Sequence, residues 1–287
     1  MSIRFADLHT HTTASDGLET PSSNVRAASA AGLAAVAITD HDTVAGVEEA
    51  LAEGKRLGVE VVPGVEISTT AGGRDIHVLG YFVDIRDETL LGHLDRQRRA
   101  RDERNERIAA KLRELGLAIT MEEVEASVPE KKPDETIGRP HIAALLVRKG
   151  YVASMKEAFD RYLADGAAAY VAPDRNGPLD AAGWIRQAGG AAVLAHPGLY
   201  RNVALVTEWL DSGAFDGVEA YHSDHSPEEE ALFARLAEQR GLPATAGSDF
   251  HGARGGIVFH GAIGSKRVDT VVLDKLRQAC SVRAQRQ

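Results

Sequence analysis

Short apolar runs recur along the chain, most of them separated by a stretch of helical length. Ile3 and Phe5 alternate with Arg4 and Ala6 ahead of Leu8, which predicts a short strand entering a core. The run AAVAITDHD at 34–42 follows a small-residue helix whose start is marked by Thr20 and Pro21. VEVVPGVEIST at 59–69 follows the helical pattern VAGVEEALAEGKRLG. GAAVLAHPG, FDGVEAYHSDH and PATAGSDFHG come later, again with helix-length segments between them. This βαβα rhythm predicts a parallel sheet or barrel. One run stands outside it: RDIHVLGYF at 74–82 alternates as a strand does but has no helix before it.

The rhythm breaks between Asp84 and Leu163. RDETLLGHLDRQRRARDERNERIAAKLRELG, MEEVEASVPE, GRPHIAALLVRKG and MKEAFDRYLADG all read as helices with short connections. The pattern predicts an α/β protein in which residues 84–163 form an inserted helical subdomain and residues 1–83 and 164–287 form the main domain. Arginines crowd the first of these helices from Arg96 to Arg107, with Asp102, Glu103 and Glu106 within a turn of them. Those pairings predict a solvated, salt-bridged face in preference to a nucleic-acid surface.

Composition narrows the class. Of 287 residues, 44% are apolar and 26% charged, as in a soluble globular protein with a sizeable core. A net charge of -9 argues against a broad basic face for long nucleic acid, but is compatible with a small phosphorylated ligand. The single Cys280 excludes a disulfide framework and a thiolate metal site. No apolar run approaches the ~20 residues of a membrane span. A strand starting at Ile3 leaves no room for a cleaved leader, so a cytoplasmic protein with no membrane partner is expected.

Ionisable residues stand at the ends of the apolar runs: Asp7 and His9, Asp40 and His41, Glu66, His196, Glu219 and Asp249. In parallel α/β folds that end of the strands forms the active-site face, so the runs would bring these groups to one mouth. His9 and His11 share a strand face by their spacing, which fits a metal-ligand pair and a pair of alternating surface histidines equally well. The later positions decide between them. His9, His11, Asp16, His41, Glu66, His77, His196, Asp249 and His251 together offer more nitrogen and oxygen ligands than one ion uses, which implies two or three clustered divalent ions. By its own surroundings His77 reads as structural, and Asp16, in the stretch SDG, as turn chemistry.

Taken in order, DLHTHT, TDHDT, PGVEIS, IHVLGYF, LAHPG and GSDFH resemble the successive motifs of the PHP family, the polymerase and histidinol phosphatase domains, over residues 1–83 and 170–265. The resemblance implies a distorted (β/α)7 barrel with a trinuclear metal centre and phosphoester hydrolysis. It implies one ion at His9, His11, Glu66 and Asp249, a second at Glu66, His77 and His196, and a third at Asp16, His41 and His251. Several members of the family carry histidine where this chain has Asp16. The third site here is then richer in oxygen and favours Mn2+ over Zn2+, with Fe2+ a further option. Asp7, Asp40 and Asp42 are expected to orient ligand histidines, and Thr12, Ser68 and Arg254 to line the site.

The insertion and the segment GRPHIA are similar to one branch of the family, the 3',5'-nucleotide bisphosphate phosphatases, which include enzymes that also trim short RNA from its 5' end. That similarity implies removal of the 3'-phosphate from a nucleoside 3',5'-bisphosphate by metal-activated hydroxide. The alternatives are exonucleolytic cleavage of short 5'-phosphorylated RNA and hydrolysis of histidinol phosphate; a non-catalytic module is the weakest reading. Arg139 and His141 flank the proline that starts a helix, where they either grip the second phosphate or cap and dock the helix. His222 is either the proton donor to the leaving oxygen or an orienting histidine.

Overall fold

The computed structural model describes residues 3–128, 136–172, 176–254 and 256–285. β1 (Phe5–Asp7) runs through a histidine-bearing loop into α1 (Pro21–Ala30), where Thr20 caps the helix by accepting the Ser23 N–H. β2 (Ala35–Ile38), α2 (Val47–Leu57), β3 (Glu60–Ala71) and β4 (Arg74–Tyr81) follow. The helical segment comprises α3 (Glu88–Glu114), α4 (Met121–Glu125), α5 (Arg139–Arg148) and α6 (Met155–Ala158), the last continuing into a π-helical turn over Phe159–Leu163. The βα rhythm resumes with α7 (Pro178–Gln187), β5 (Ala191–Leu194), α8 (Val203–Asp211), β6 (Gly217–His222), α9 (Pro227–Gln239) and β7 (Ala244–Gly247). A short hairpin, β8 (Ala253–Arg254) and β9 (Ile257–Val258), then β10 (Val268–Asp269) and α10 (Val271–Ala284) complete the described chain.

The sheet order is β10-β1-β2-β3-β4-β5-β6-β7. β1, β2 and β3 are parallel to one another, as are β5, β6 and β7, whereas β4 is antiparallel to both its neighbours. The reversal has a local cause: only Gly72 and Gly73 join β3 to β4, at φ +58° and +77°, a two-residue turn that can only fold a strand back on itself. Leu8 N–H donates to Ala246 O and Asp249 N–H to His9 O, both at 2.9 Å, which brings β7 round to β1 in the distorted seven-stranded barrel that the family resemblance implies.

Alternation along the strands sorts the core. Ala6, Leu8, Ala35, Ala37, Val62, Leu79, Tyr81, Ala191 and Val193 fill the barrel interior, while Val36, Ile38, Val78, Ala192 and Leu194 pack outward under the helices. The many alanines leave space for one large side chain, Tyr81, which is fully buried and donates its hydroxyl to Leu8 O at 2.8 Å. Tyr81→Phe keeps the volume and leaves that carbonyl without its partner. It is expected to lower the unfolding free energy by about 1–2 kcal/mol, read as a lower urea midpoint at unchanged slope.

The helical segment has a core cluster of its own, including Ile108, Leu112, Met121, Val124, Ile142, Leu146, Tyr162 and Leu163. α3 spans both cores, because Leu90 and Leu94 near its start pack into the main cluster. That helix therefore lies across the barrel and carries its middle turns over β3 and β4.

Candidate metal centre

Two positions depart from the expectation that ligands sit at strand ends. Glu66 lies within β3 and His77 within β4, because this hairpin projects beyond the short parallel strands. A parallel bridge between His41 and Glu66 sets the carboxylate level with the end of β2. Glu66 is the hub: Oε2 lies 3.4 Å from His9 Nε2, 3.2 Å from His11 Nε2 and 2.9 Å from His41 Nδ1. Oε1 lies 2.8 Å from His77 Nδ1 and 3.0 Å from His196 Nε2. Asp249 Oδ1 faces His9, His11 and His251 at 3.2–3.5 Å. Asp16 Oδ1 lies 3.2 Å from His251 Nε2, and its Oδ2 lies 3.8 Å from His41 Nε2. All nine residues singled out in the sequence thus converge on one cavity.

The donor set fits divalent cations. His9 Nδ1 lies 3.0 Å from Glu219 Oε1, which can hold a ring proton there and leave Nε2, only 3.1 Å from His11 Nε2, to face inward. Glu66 Oε2 is buried among three ring nitrogens yet accepts no hydrogen bond, and His41 Nδ1 likewise has no hydrogen-bond partner. Ring nitrogens and carboxylate oxygens packed this closely, with Glu66 Oε2 and His41 Nδ1 left unbonded, suit a shared cation. Charge says the same. Burial alone would raise Glu66, but His77, His41 and His9 hold it well below the usual carboxylate range; Asp16 and Asp249 are held down by neighbouring histidines in the same way. Burial would depress His11, yet Asp249 and Glu66 push it up to about 10. Divalent ions held there would supply that positive charge in place of the protons.

The sequence pattern of the PHP domain matches residues 7–192. The chain belongs to the PHP domain family. A Chromobacterium violaceum protein named 3',5'-nucleoside bisphosphate phosphatase is 36% identical over 85% of this chain and 86% of its own length. The Escherichia coli protein named 5'-3' exoribonuclease Rnm is 37% identical over 85% of this chain and 84% of its own. A Bifidobacterium adolescentis crystal structure, described as a metal-dependent phosphoesterase, superposes with a TM-score of 0.85 at 31% identity and covers 94% of each chain. Among the described residues no helix is long and apolar enough to cross a membrane.

Carboxylates around this PHP centre act differently from their sequence reading. Asp7, Asp40 and Asp42 hold backbone and loops instead of imidazole rings. Asp7 accepts N–H bonds from His9, Ser248 and Gly264. Asp40 accepts from Thr12 and from Ser15 Oγ, pinning the first motif's loop, and Asp42 accepts from Ser68 N and Arg101. The carboxylate that orients a ligand ring is Glu219, fully buried, which also accepts the His196 N–H at 2.8 Å. Its strand is drawn close: a Cβ on Gly247 would stand 2.1 Å from His9 Cβ and 2.5 Å from Glu219 Oε1, so only glycine fits there. His196 (φ +22°) and Asp249 (φ +54°) have strained backbones held by the same contacts, Glu219 for one and His9 O for the other.

His222 is fully buried; its Nδ1 accepts the Asp224 N–H at 3.1 Å, so its proton is on Nε2, 3.3 Å from Asp249 Oδ2. That Nε2 is buried without a hydrogen-bond partner, so His222 faces Asp249 as a charge or as a held proton. His222→Gln is expected to lose about 10- to 100-fold in activity at limiting metal and to recover much of it as metal is raised. A proton donor would instead lose rate at every metal concentration, and that result would restore the donor role.

Two groups escape the sequence reading. His260, with Nδ1 2.5 Å from Asp224 Oδ2 and 3.6 Å from Asp249 Oδ2, forms a further ligand-competent cluster with Asp249 and His251. Burial opposes it, yet Asp249 and Asp224 push this histidine up to about 9. It follows no long apolar run, so only its loop's return to β6 places it here. The arginines of α3 are the second group. Arg101 and Arg104 are buried, at 9% and 3% exposure, which corrects the expectation of a solvated face for these two, while Arg96, Arg99 and Arg107 are exposed as expected and Arg99 pairs with Asp95. Arg139 donates to Asp75 Oδ2 at 2.8 Å and to Leu163 O at 3.1 Å, and His141 Nδ1 accepts the Gly138 N–H that begins α5. Those contacts cap and dock the helix. The side chain of Arg254 lies outside the described residues.

Proposed function

We propose that this PHP protein is a metal-dependent phosphoester hydrolase that removes the 3'-phosphate from nucleoside 3',5'-bisphosphates and leaves the 5'-monophosphate. The observation that carries the reading is the convergence of nine nitrogen and oxygen ligands, with Glu66 at their centre, beside a wall of arginines. His9, His11, Glu66 and Asp249 would hold one ion, Glu66, His77 and His196 a second, and Asp16, His41 and His251 a third, with His11 near enough to share it. Divalent ions held there, of which Mn2+ suits the oxygen-rich third set best, neutralise phosphoryl charge and make hydroxide available near neutral pH. The chain's own work is positioning: Glu219 turns His9, His222 stands against Asp249, and Asp40 and Asp7 fix the loops between them.

Residues 84–163 serve in this reading as an inserted unit that presents cations to the substrate. Its separate core supports the division, as does the placement of Arg101 and Arg104 against β3 and β4. Cleavage of short 5'-phosphorylated RNA is the second reading. It is favoured by the exoribonuclease name of a relative as similar as the phosphatase. Purified protein with Mn2+ is expected to release phosphate from adenosine 3',5'-bisphosphate faster than from histidinol phosphate or p-nitrophenyl phosphate. Mononucleotide release from a 5'-phosphorylated oligoribonucleotide that outpaces the bisphosphate would replace the first reading by the second.

A further inference from the structure

From the geometry we infer that Tyr200 is a positioning residue: its hydroxyl sets the spacing of His77 and His196, the two histidines proposed for the second ion. This role rests on the ligand set proposed above and holds for whichever phosphoester is the substrate.

The hydroxyl stands inside the ladder between β4 and β5. Val78 pairs with Leu194 in the antiparallel register, so the next pair toward the metal centre is His77 with Ala195. Ala195 N–H donates to His77 O at 3.2 Å, which marks a pair that ordinarily exchanges two bonds. The second bond is relayed through Tyr200. His77 N–H donates to Tyr200 Oη at 3.1 Å, and that hydroxyl donates to Ala195 O at 2.7 Å; His77 O, at 3.3 Å, is the weaker acceptor. A direct bond would close the gap to ~2.9 Å. The interposed oxygen holds it open, so the strands splay where their ligands begin: His77 lies in the split pair and His196 follows Ala195 directly.

The splay matters because both imidazoles converge on one atom. Glu66 Oε1 lies 2.8 Å from His77 Nδ1 and 3.0 Å from His196 Nε2, and the two ring centroids stand 5.2 Å apart at 74°. Without the hydroxyl, the His77 N–H and the buried Ala195 carbonyl must either stay unpaired or close on each other. Closure would draw β4 and β5 together and move both rings against Glu66. Glu219 fixes the His196 backbone from the β6 side, and Tyr200 ties it to β4.

The hydroxyl is itself held in place. Tyr200 ends a single 3₁₀ turn, Pro197–Tyr200, and its ring packs edge-on against Trp209 with centroids 6.2 Å apart. Arg74, at the start of β4, donates to Tyr200 O at 2.9 Å. Within the turn, Gly198 N–H donates to His225 Nε2 at 3.0 Å, and His225 Nδ1 donates to Ala220 O on β6 at 3.0 Å. A Cβ on Gly198 would stand 2.7 Å from His225 Cδ2, so this close approach calls for glycine. The turn is thereby anchored to both neighbours of β5.

The test compares full-length wild type with Tyr200→Phe, which deletes the oxygen and keeps the ring, and with Tyr81→Phe, which deletes a buried tyrosine hydroxyl elsewhere in the barrel. Each protein is dialysed against graded free Mn2+, and the readouts are ions bound per chain and the dissociation constant of the weakest ion. In Tyr200→Phe that constant is expected to rise about 10- to 100-fold, leaving one ion fewer per chain at limiting Mn2+ and recovering phosphate release as Mn2+ is raised. Tyr81→Phe is expected to bind Mn2+ as wild type does while losing stability to urea. Binding by Tyr200→Phe equal to wild type, or an equal loss in both variants, would overturn the role and leave the ligand set standing. A wild type that binds fewer than two ions would overturn the ligand set and the role with it. Arg74→Gln unties Tyr200 O at the exposed start of β4 and is expected to raise the same constant by a smaller factor. It decides the matter if Tyr200→Phe fails to fold, an unchanged constant then counting against the role.

Discussion

Glu66→Gln is expected to reduce phosphoester turnover by ~10³-fold or more, at or beyond the effect of deleting a single strong electrostatic group from an active site. The reason is its position between two sets of donors. One oxygen faces His9, His11 and His41 and the other faces His77 and His196, at 2.8–3.4 Å throughout. An amide must turn its NH2 toward one of these sets, where it offers protons to nitrogens that need to keep their lone pairs for a cation. Its neutral side chain also removes the charge that joins the two neighbouring sites. Metal analysis of the purified variant should show at least one ion lost per chain, together with the loss of phosphate release. A variant with full metal content and turnover within tenfold of wild type would show that Glu66 is not the bridge.

Glu219→Gln is the second large effect, and it tests a residue that touches none of the ligand-competent nitrogens directed inward. Glu219 binds the outward nitrogen of His9 and the backbone N–H of His196, so one carboxylate orients candidate ligands after β1 and after β5. Glutamine can satisfy one of these donors with its carbonyl oxygen but sets an N–H against the other. Metal affinity and activity are each expected to fall by about 10- to 100-fold, with activity partly restored at high Mn2+. Glu219→Ala should go further and destabilise the fold, since it leaves both donors buried without an acceptor. Unchanged metal affinity in Glu219→Gln would show that packing against Gly247, and not the carboxylate, fixes His9.

Several of the candidate ligands were legible because they lie in contiguous motifs whose neighbours announce a strand. His9 and His11 follow an alternating run, and His196 and Asp249 end apolar stretches, so local periodicity alone aims them at one mouth. Glu66 and His77 were legible as residues but not as geometry. The Gly72–Gly73 turn carries them on a projecting hairpin, and their level is set by the pairing of His41 with Glu66. The roles of Asp7, Asp40 and Asp42 were misread because an acidic residue beside a histidine looks the same whether it holds the ring or the backbone.

By itself the sequence determined the βα order and the break into helices after Asp84, carried by spacing within a few residues, while the nine candidate ligands needed the order of the family's motifs as well. Tertiary structure decided the rest, and Arg101 and Arg104 show why. Their spacing on α3 fits a solvated face as well as a buried one, since helix periodicity states which residues share a side and not what that side meets. Only the docking of α3 across β3 and β4 turned those arginines inward, and only chain closure around the barrel brought Glu219, His222 and His260 to the ligands they orient or adjoin. Contacts between residues so far apart in the chain depend on packing, which local patterns do not record.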